Sequence, residues 1–295
     1  MIVRVLGSAA GGGVPQWNCA CHNCAAARRG ERPRRSTSSF AVSADGDRWW
    51  LVNVSPDVGQ HIEAYRPLQP RGLRGTPIAG FLVTDANVDH LGGLAVLRQD
   101  GEHRFDLFSS GTIRDVARTQ PAFAPFARPP HAWHALTVDK PYDLDARLAV
   151  RSVAVSGLTP GYDGRRPLPE AVVAYEVEDR ASGGRALFAP VFAAIDAALH
   201  AALDRARLAF LDGSFWSDDE LAELGVPKPA QSLGHLPVGG SDGSLAALGD
   251  RPQQQRIVYA HLNNSSPLLD PASPAARDAA AAGVAIAEDG MEFRL

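Results

Sequence analysis

The sequence predicts a layered α/β fold, and three observations carry that reading. Apolar runs of strand length recur from one end of the 295-residue chain to the other. Segments of helical spacing lie between them. No internal repeat and no low-complexity linker interrupts the mixture, so residues 1–295 are expected to form one domain. A composition 45% apolar and 21% charged provides for an ordinary globular core.

Strands are read, in chain order, at residues 2–6, 40–42, 49–54, 78–83, 148–155, 172–177, 185–188, 208–211 and 257–259. The first runs straight into a glycine loop. Ser55-Pro56-Asp57 reads as an N-cap followed by proline at the first helical position. After the strand at 78–83, Leu91, Leu94, Ala95 and Leu97 recur at three- and four-residue spacing and predict a helix. Helices are also read at 193–205 and 218–224. Ser273-Pro274 repeats the N-cap signal ahead of an alanine-rich stretch that Gly283 is placed to end. Residues 100–170, rich in Pro, Gly and Asp, carry the weakest pattern.

Several function classes lose their support at this level. A formal charge of -4 gives no electrostatic reason to expect nucleic acid as a partner. The first residues read as a strand rather than a secretory signal. The longest apolar tract, residues 186–203, is interrupted by Pro190, Asp196 and His200, so no membrane insertion is expected. All three cysteines fall between positions 19 and 24, leaving none for a long-range disulfide. A cytoplasmic location is the expectation.

Two motifs carry chemistry. Cys19, Cys21 and Cys24 sit close enough in sequence to converge on one ion from a single loop, at about residues 13–35. Thiolates favour Zn²⁺, which wants four ligands in a structural site. The alternatives are unrelated buried thiols or a redox pair. His22 lies in the same loop, pinned by its neighbours. The second motif is T-D-A-N-V-D-H-L-G-G, residues 84–93, where Asp89-His90 occupies the turn between a strand and a helix. Strand ends fix side chains while the loop stays open, which suits a metal or ligand. A plain helix cap is the competing account of Asp89.

The D-H-x-G-G half of this motif resembles the metallo-β-lactamase superfamily signature H-x-H-x-D-H-x-G-G, with Asp85 and Asn87 in place of its first two histidines. The loop G-V-P-Q-W-N-C-A-C-H-N-C is similar to that of phosphodiesterases of phosphonate metabolism with this fold. The match is closer to the coenzyme PQQ synthesis protein B family. It extends through L-D-G-S-F-W (211–216), G-H-L-P (234–237), H-L-N-N-S-S-P (261–267) and E-D-G-M-E (288–292), and so covers essentially the whole chain. The resemblance implies an αββα four-layer sandwich and a role in making pyrroloquinoline quinone (PQQ).

Carried onto this sequence, the resemblance implies a reduced metal site. A third histidine would follow the strand at 148–155, where Ser156-Gly157 stands, and a bridging aspartate would follow 185–188, where Ala189-Pro190 stands. Asp89, His90 and His261 remain, a carboxylate and two imidazoles, the ligand set of non-haem Fe(II) oxygenases. A two-zinc hydrolase needs both metals. Asp85 receives no metal bond in this reading, so its loss should be milder than that of His261. Asp212 is expected to orient a ligand histidine or merely to form a turn before Gly213. His235 is a proton-transfer residue or a more distant support. Asn264, where the phosphodiesterase relatives carry a zinc-completing histidine, is a neighbour or weak fourth ligand of the cysteine-bound zinc. His61, His103, His131, His134 and His200 are read as structural. The basic run at residues 28–35 is a solvated loop or, through Arg34 and Arg35, a contact for substrate carboxylates.

The expected function is Fe(II)- and O₂-dependent hydroxylation of the tyrosine-derived ring of a cross-linked Glu-Tyr precursor of PQQ. Structural zinc is the second expected metal, and other proteins of the pathway are candidate partners. The rivals are a metal-dependent hydrolase or phosphodiesterase, and a non-catalytic carrier helping PQQ or its precursor towards the periplasm.

Overall fold

The computed structural model describes residues 1–98 and 103–295. Among these residues the chain forms two seven-stranded sheets. In the first, β1 (Ile2–Gly7), β2 (Ser39–Ser43), β3 (Trp49–Val52), β4 (Ile78–Leu82), β5 (Asp106–Ser109) and β6 (Ala132–Ala135) lie side by side in chain order. The second runs β7 (Pro141–Asp143), β8 (Leu148–Val155), β9 (Val172–Asp179), β10 (Gly184–Ala189), β11 (Leu208–Asp212), β12 (Arg256–Ala260) and β13 (Ala285–Ile286). The final strand, β14 (Glu292–Arg294), returns to the first sheet and pairs antiparallel with β1. Each sheet is antiparallel on one side, and β3 to β6 and β10 to β13 are its parallel halves.

Parallel neighbours need crossovers, and helices provide them. After α1 (His22–Arg28), α2 (Val58–Ala64) joins β3 to β4. The short pair α3 (Val88–Leu91) and α4 (Gly93–Leu97) leads from β4 towards β5, and α5 (Gly111–Ala117) leads to β6. In the second half α6 (Ala197–Arg205), α7 (Ser244–Leu248) and α8 (Pro274–Ala281) play the same part. The sheets face each other across an aromatic seam: Phe40 of β2 lies 4.7 Å from Phe210 of β11 and 5.3 Å from Phe188 of β10, between ring centroids. The outer face of the second sheet is sealed by Leu199 and Leu203 of α6 and Ala275 and Ala279 of α8. This is the αββα sandwich, a metallo-β-lactamase fold.

All nine strand readings correspond to strands, and 148–155 agrees at both ends. The helix at Ser55-Pro56 does not start there. Ser55 Oγ accepts from Asp57 N at 3.2 Å, Asp57 Oδ2 accepts from Thr37 N, and α2 begins only at Val58. The helix at 193–205 is shortened to α6, capped by Asp196 on Leu199 N. That at 218–224 is a 3₁₀ turn over Glu220–Leu224. Ser273 caps α8 through Ala276 N, and Gly283 beyond it has φ +81. No helix among the described residues is long and apolar enough to cross a membrane.

The strands put their C-terminal ends together. β1 ends in the glycine loop, β4 in the 84–93 turn, β11 at Asp212 and β12 just before His261. Open α/β sheets place ligands at such ends.

Candidate metal centres

Beyond β4 the chain turns so sharply that two glycines become obligatory. A Cβ on Gly92 would strike Val88 O, and one on Gly93 would strike Ser55 O. Without them, the 54–56 segment lies flat on the turn: Val54 N donates to His90 O at 2.8 Å and Gly93 N to Val54 O at 2.9 Å. This grip fixes α3, and with it His90. The His90 side chain is fully buried and donates from Nδ1 to Asp85 Oδ2 at 2.6 Å. With Nδ1 so committed, the lone pair of a neutral ring sits on Nε2.

His261 follows β12 with φ +57, a backbone conformation that a non-glycine residue adopts only under constraint. Its Nδ1 lies 2.8 Å from Ser214 Oγ, which donates onward to Asp212 Oδ1 at 2.6 Å. The other oxygen of Asp212 accepts from His235 Nδ1 at 2.7 Å. One buried carboxylate therefore orients two imidazoles, directly for His235 and through a serine for His261. The two rings stack at 5.5 Å.

Asp89 completes the set. Its Oδ2 is 3.4 Å from His261 Nε2 and 3.8 Å from His90 Nε2. Ligand atoms of Asp89, His90 and His261 all lie within 4.8 Å of one another. Both Nε2 atoms are buried and have no hydrogen-bond partner, a costly arrangement unless a cation takes their lone pairs. Burial works against charge on Asp89, yet His90 and His261 hold its carboxyl well below the usual carboxylate range. Burial likewise opposes a charged His90, but Asp85 and Asp89 push it up to about 9. The donor set fits a metal with two imidazoles and one carboxylate. It opens onto a pocket of about 190 Å³ also lined by Asn87, Arg165, His235 and Asn263.

The cysteine loop packs against the same end of β12. Ligand atoms of Cys19, Cys21 and Cys24 also lie within 4.8 Å of one another. Burial and the neighbouring thiols push Cys24 up to about 11, so three thiolates here call for a cation. Asn264 reaches this cluster, but with its amide nitrogen: Nδ2 is 3.1 Å from Cys19 Sγ and 3.5 Å from Cys21 Sγ. Asn264 is thus a neighbour of the cysteine cluster, with its amide facing the thiols. His22 is 73% exposed and turned to Arg32 and Asp270.

Comparison with known proteins adds the lineage. Residues 48–262 match the beta-lactamase superfamily domain. Coenzyme PQQ synthesis protein B of Ruegeria pomeroyi is 38% identical over 100% of both chains. That of Rhizobium meliloti is 40% identical over 99% of this chain and 97% of its own. The crystal structure of Zn(2+)-bound PqqB from Methylobacterium extorquens superposes with a TM-score of 0.92 at 33% identity, covering 100% of both chains. The chain belongs to the coenzyme PQQ synthesis protein B family. A diphosphatase of the PhnP family, at TM-score 0.69 and 19% identity over 100% of this chain and 97% of its own, shares the fold.

Sequence reasoning about this PQQ synthesis protein B family member passed over two residues of the pocket. Ser214, the link between Asp212 and His261, lies in the quoted L-D-G-S-F-W motif; its hydroxyl beside a strand-end aspartate was the available signal. Arg165 has no local signal at all, being brought over the pocket from the 100–170 region. Arg34 and Arg35 lie outside the metal pocket and line a neighbouring cavity. Arg35 is 8% exposed and spent on Ser8 Oγ, Ala287 O and Glu288. Among the histidines read as structural, His61 contacts Ser36 Oγ, His134 pairs with Asp106, and His131 stacks on Phe126.

Proposed function

We propose that this chain is a metal-dependent oxygenase of PQQ biosynthesis, hydroxylating the tyrosine-derived ring of a cross-linked Glu-Tyr precursor. The pathway rests on the names of its full-length relatives. The chemistry rests on one observation: two buried, unpartnered Nε2 atoms meet a single carboxylate beside an open pocket. Asp89, His90 and His261 would hold Fe(II), which with two imidazoles and one carboxylate keeps positions free for O₂ and substrate.

The remaining groups have separable tasks. Arg165, the sole arginine of the pocket among the described residues, offers its guanidinium to a substrate carboxylate. His235, with Nδ1 held by Asp212, turns Nε2 to hold the proton of a phenolic hydroxyl. Asp85 and Ser214 keep the ligand imidazoles in the tautomer that presents Nε2. The cysteine loop would carry structural zinc.

The hydroxylation puts one oxygen atom of O₂ into a ring C–H bond and reduces the other to water, with two electrons and two protons from an added reductant. The deciding measurement is therefore O₂ consumption by anaerobically prepared, iron-loaded protein supplied with ascorbate. Uptake that starts only when precursor is added supports the oxygenase. Equal processing of precursor in strict anaerobiosis overturns it in favour of the hydrolase, and tight precursor binding without conversion favours the carrier.

A further inference from the structure

The glycine loop that borders the metal pocket at Gly11 borders a second cavity at Gly12 and Gly13. At about 450 Å³ it is the larger of the two, framed by α2, β1 and the turn at Asp289-Gly290. Arg4, Arg34 and Arg35 line it together with Asp57 and Asp289. Both carboxylates are already engaged. Asp289 accepts from the backbone and hydroxyl of Ser8 and of Ser36, at 2.7–2.9 Å, and Asp57 accepts from Thr37 N at 2.8 Å. Nearby Glu292 is taken by Tyr65 Oη and Arg294.

The arginines divide differently. Arg35 is locked in place by Ser8, Ala287 and Glu288. Arg4 lies over the Tyr65 ring, its Cζ 4.6 Å from the centroid, and makes no ion pair or hydrogen bond from its guanidinium among the described residues. Arg34 is exposed and equally uncommitted. Two arginines without an ion pair beside a roomy cavity, one of them stacked on Tyr65, suit an anion carrying more than one planar acid group. We propose that this cavity is a second ligand site, for a small organic polycarboxylate held by Arg4 and Arg34. The site is independent of the metal reading, since none of the groups assigned to the metal lines it.

Calorimetric titration of the metal-loaded full chain with benzene-1,3,5-tricarboxylate tests this, because its carboxylates are too far apart to chelate. Expected is saturable one-to-one binding, weakened about tenfold or more by R4Q and by R34Q and unchanged by R165Q. Benzoate and inorganic phosphate should bind far more weakly. Absence of saturable binding up to about 10 mM overturns the site. So does loss of binding in R165Q with retention in R34Q, which would put the ligand in the metal pocket. Phosphate binding as tight as the tricarboxylate would overturn the ligand class. Arg34 is exposed, so R34Q keeps the test valid even if R4Q disturbs β1.

Discussion

Asp85 Oδ2 lies 2.6 Å from His90 Nδ1, and neither side chain is reached by solvent. An aspartate has thus taken a place where the superfamily signature carries a ligand histidine, and it supports the candidate ligand His90. The sequence reading expects its loss to be milder than that of His261, and a carboxylate that holds His90 through Nδ1 is consistent with that order. Asp85→Asn should keep the fold but lower Fe(II) affinity about 10–100-fold, the usual cost of removing a carboxylate behind a metal-bound histidine. Competition with a calibrated chelator measures this. Wild-type affinity in the variant would show that His90 needs no such partner.

The two candidate metal sites should respond differently to substitution of their own ligands. His261→Ala should abolish turnover and leave one zinc per chain, since the cysteine thiols remain. Cys21→Ser should lower zinc content and melting temperature together, by about 5 °C or more, as expected when a structural site is lost. Elemental analysis alongside calorimetry reads both. A Cys21→Ser protein with full zinc and an unchanged melting point would remove the cysteine site.

Arg165 and Arg34 make a matched pair for substrate binding. Arg165→Gln should raise KM for the precursor about tenfold with metal content unchanged, the loss of one charge-assisted contact. Arg34→Gln should leave KM where it was, because that side chain lies outside the metal pocket. Steady-state kinetics of the two variants at low salt distinguishes these outcomes.

Acid stability has its own signature at Asp179. Burial raises the pKa of this carboxyl, but Arg147 at 2.6 Å, the Ala181 amide and the Met1 ammonium overcome it. The result is a pKa of about 2, below the ordinary 3.8. A depressed folded value means that the native state favours the charged form. The contribution is therefore complete above about pH 4 and is lost as pH falls towards about 2. Asp179→Asn should be destabilised at neutral pH and should lose this part of the acid slope. Urea denaturation between pH 2 and 6 reports it; parallel curves for the two proteins would assign the slope elsewhere.

How far the sequence showed this molecule depends on how local each signal is. Strands buried on both faces, such as β3 and β11, are continuous apolar runs and stand out. Edge strands do not: Ala132-Trp133-His134-Ala135 and Pro141-Tyr142-Asp143 pair on one side and keep polar residues. Asp89 and His90 were legible because strand, turn and glycine pair are contiguous, and His261 because it closes a strand. The start of α2 was misread because Ser55 and Pro56 serve the Gly92-Gly93 contact, a partner 36 residues away that no window reveals. Arg165 reaches the pocket from the loop before β9, where residue spacing carries no information.

The segment from His261 to Ser266 faces two ways. Its first imidazole belongs to the pocket, while Asn264, three positions on, donates to the thiols, and Asn23 Nδ2 holds the carbonyls of Asn264 and Ser266 at 3.0 and 2.9 Å. A chelator that strips the cysteine loop would therefore slacken a wall of the other centre without entering it. Metal dependence observed with such a reagent would contain a mechanical share as well as a chemical one. The two separate by reconstitution order: zinc returned alone should restore the geometry, and iron returned alone should find a misaligned seat.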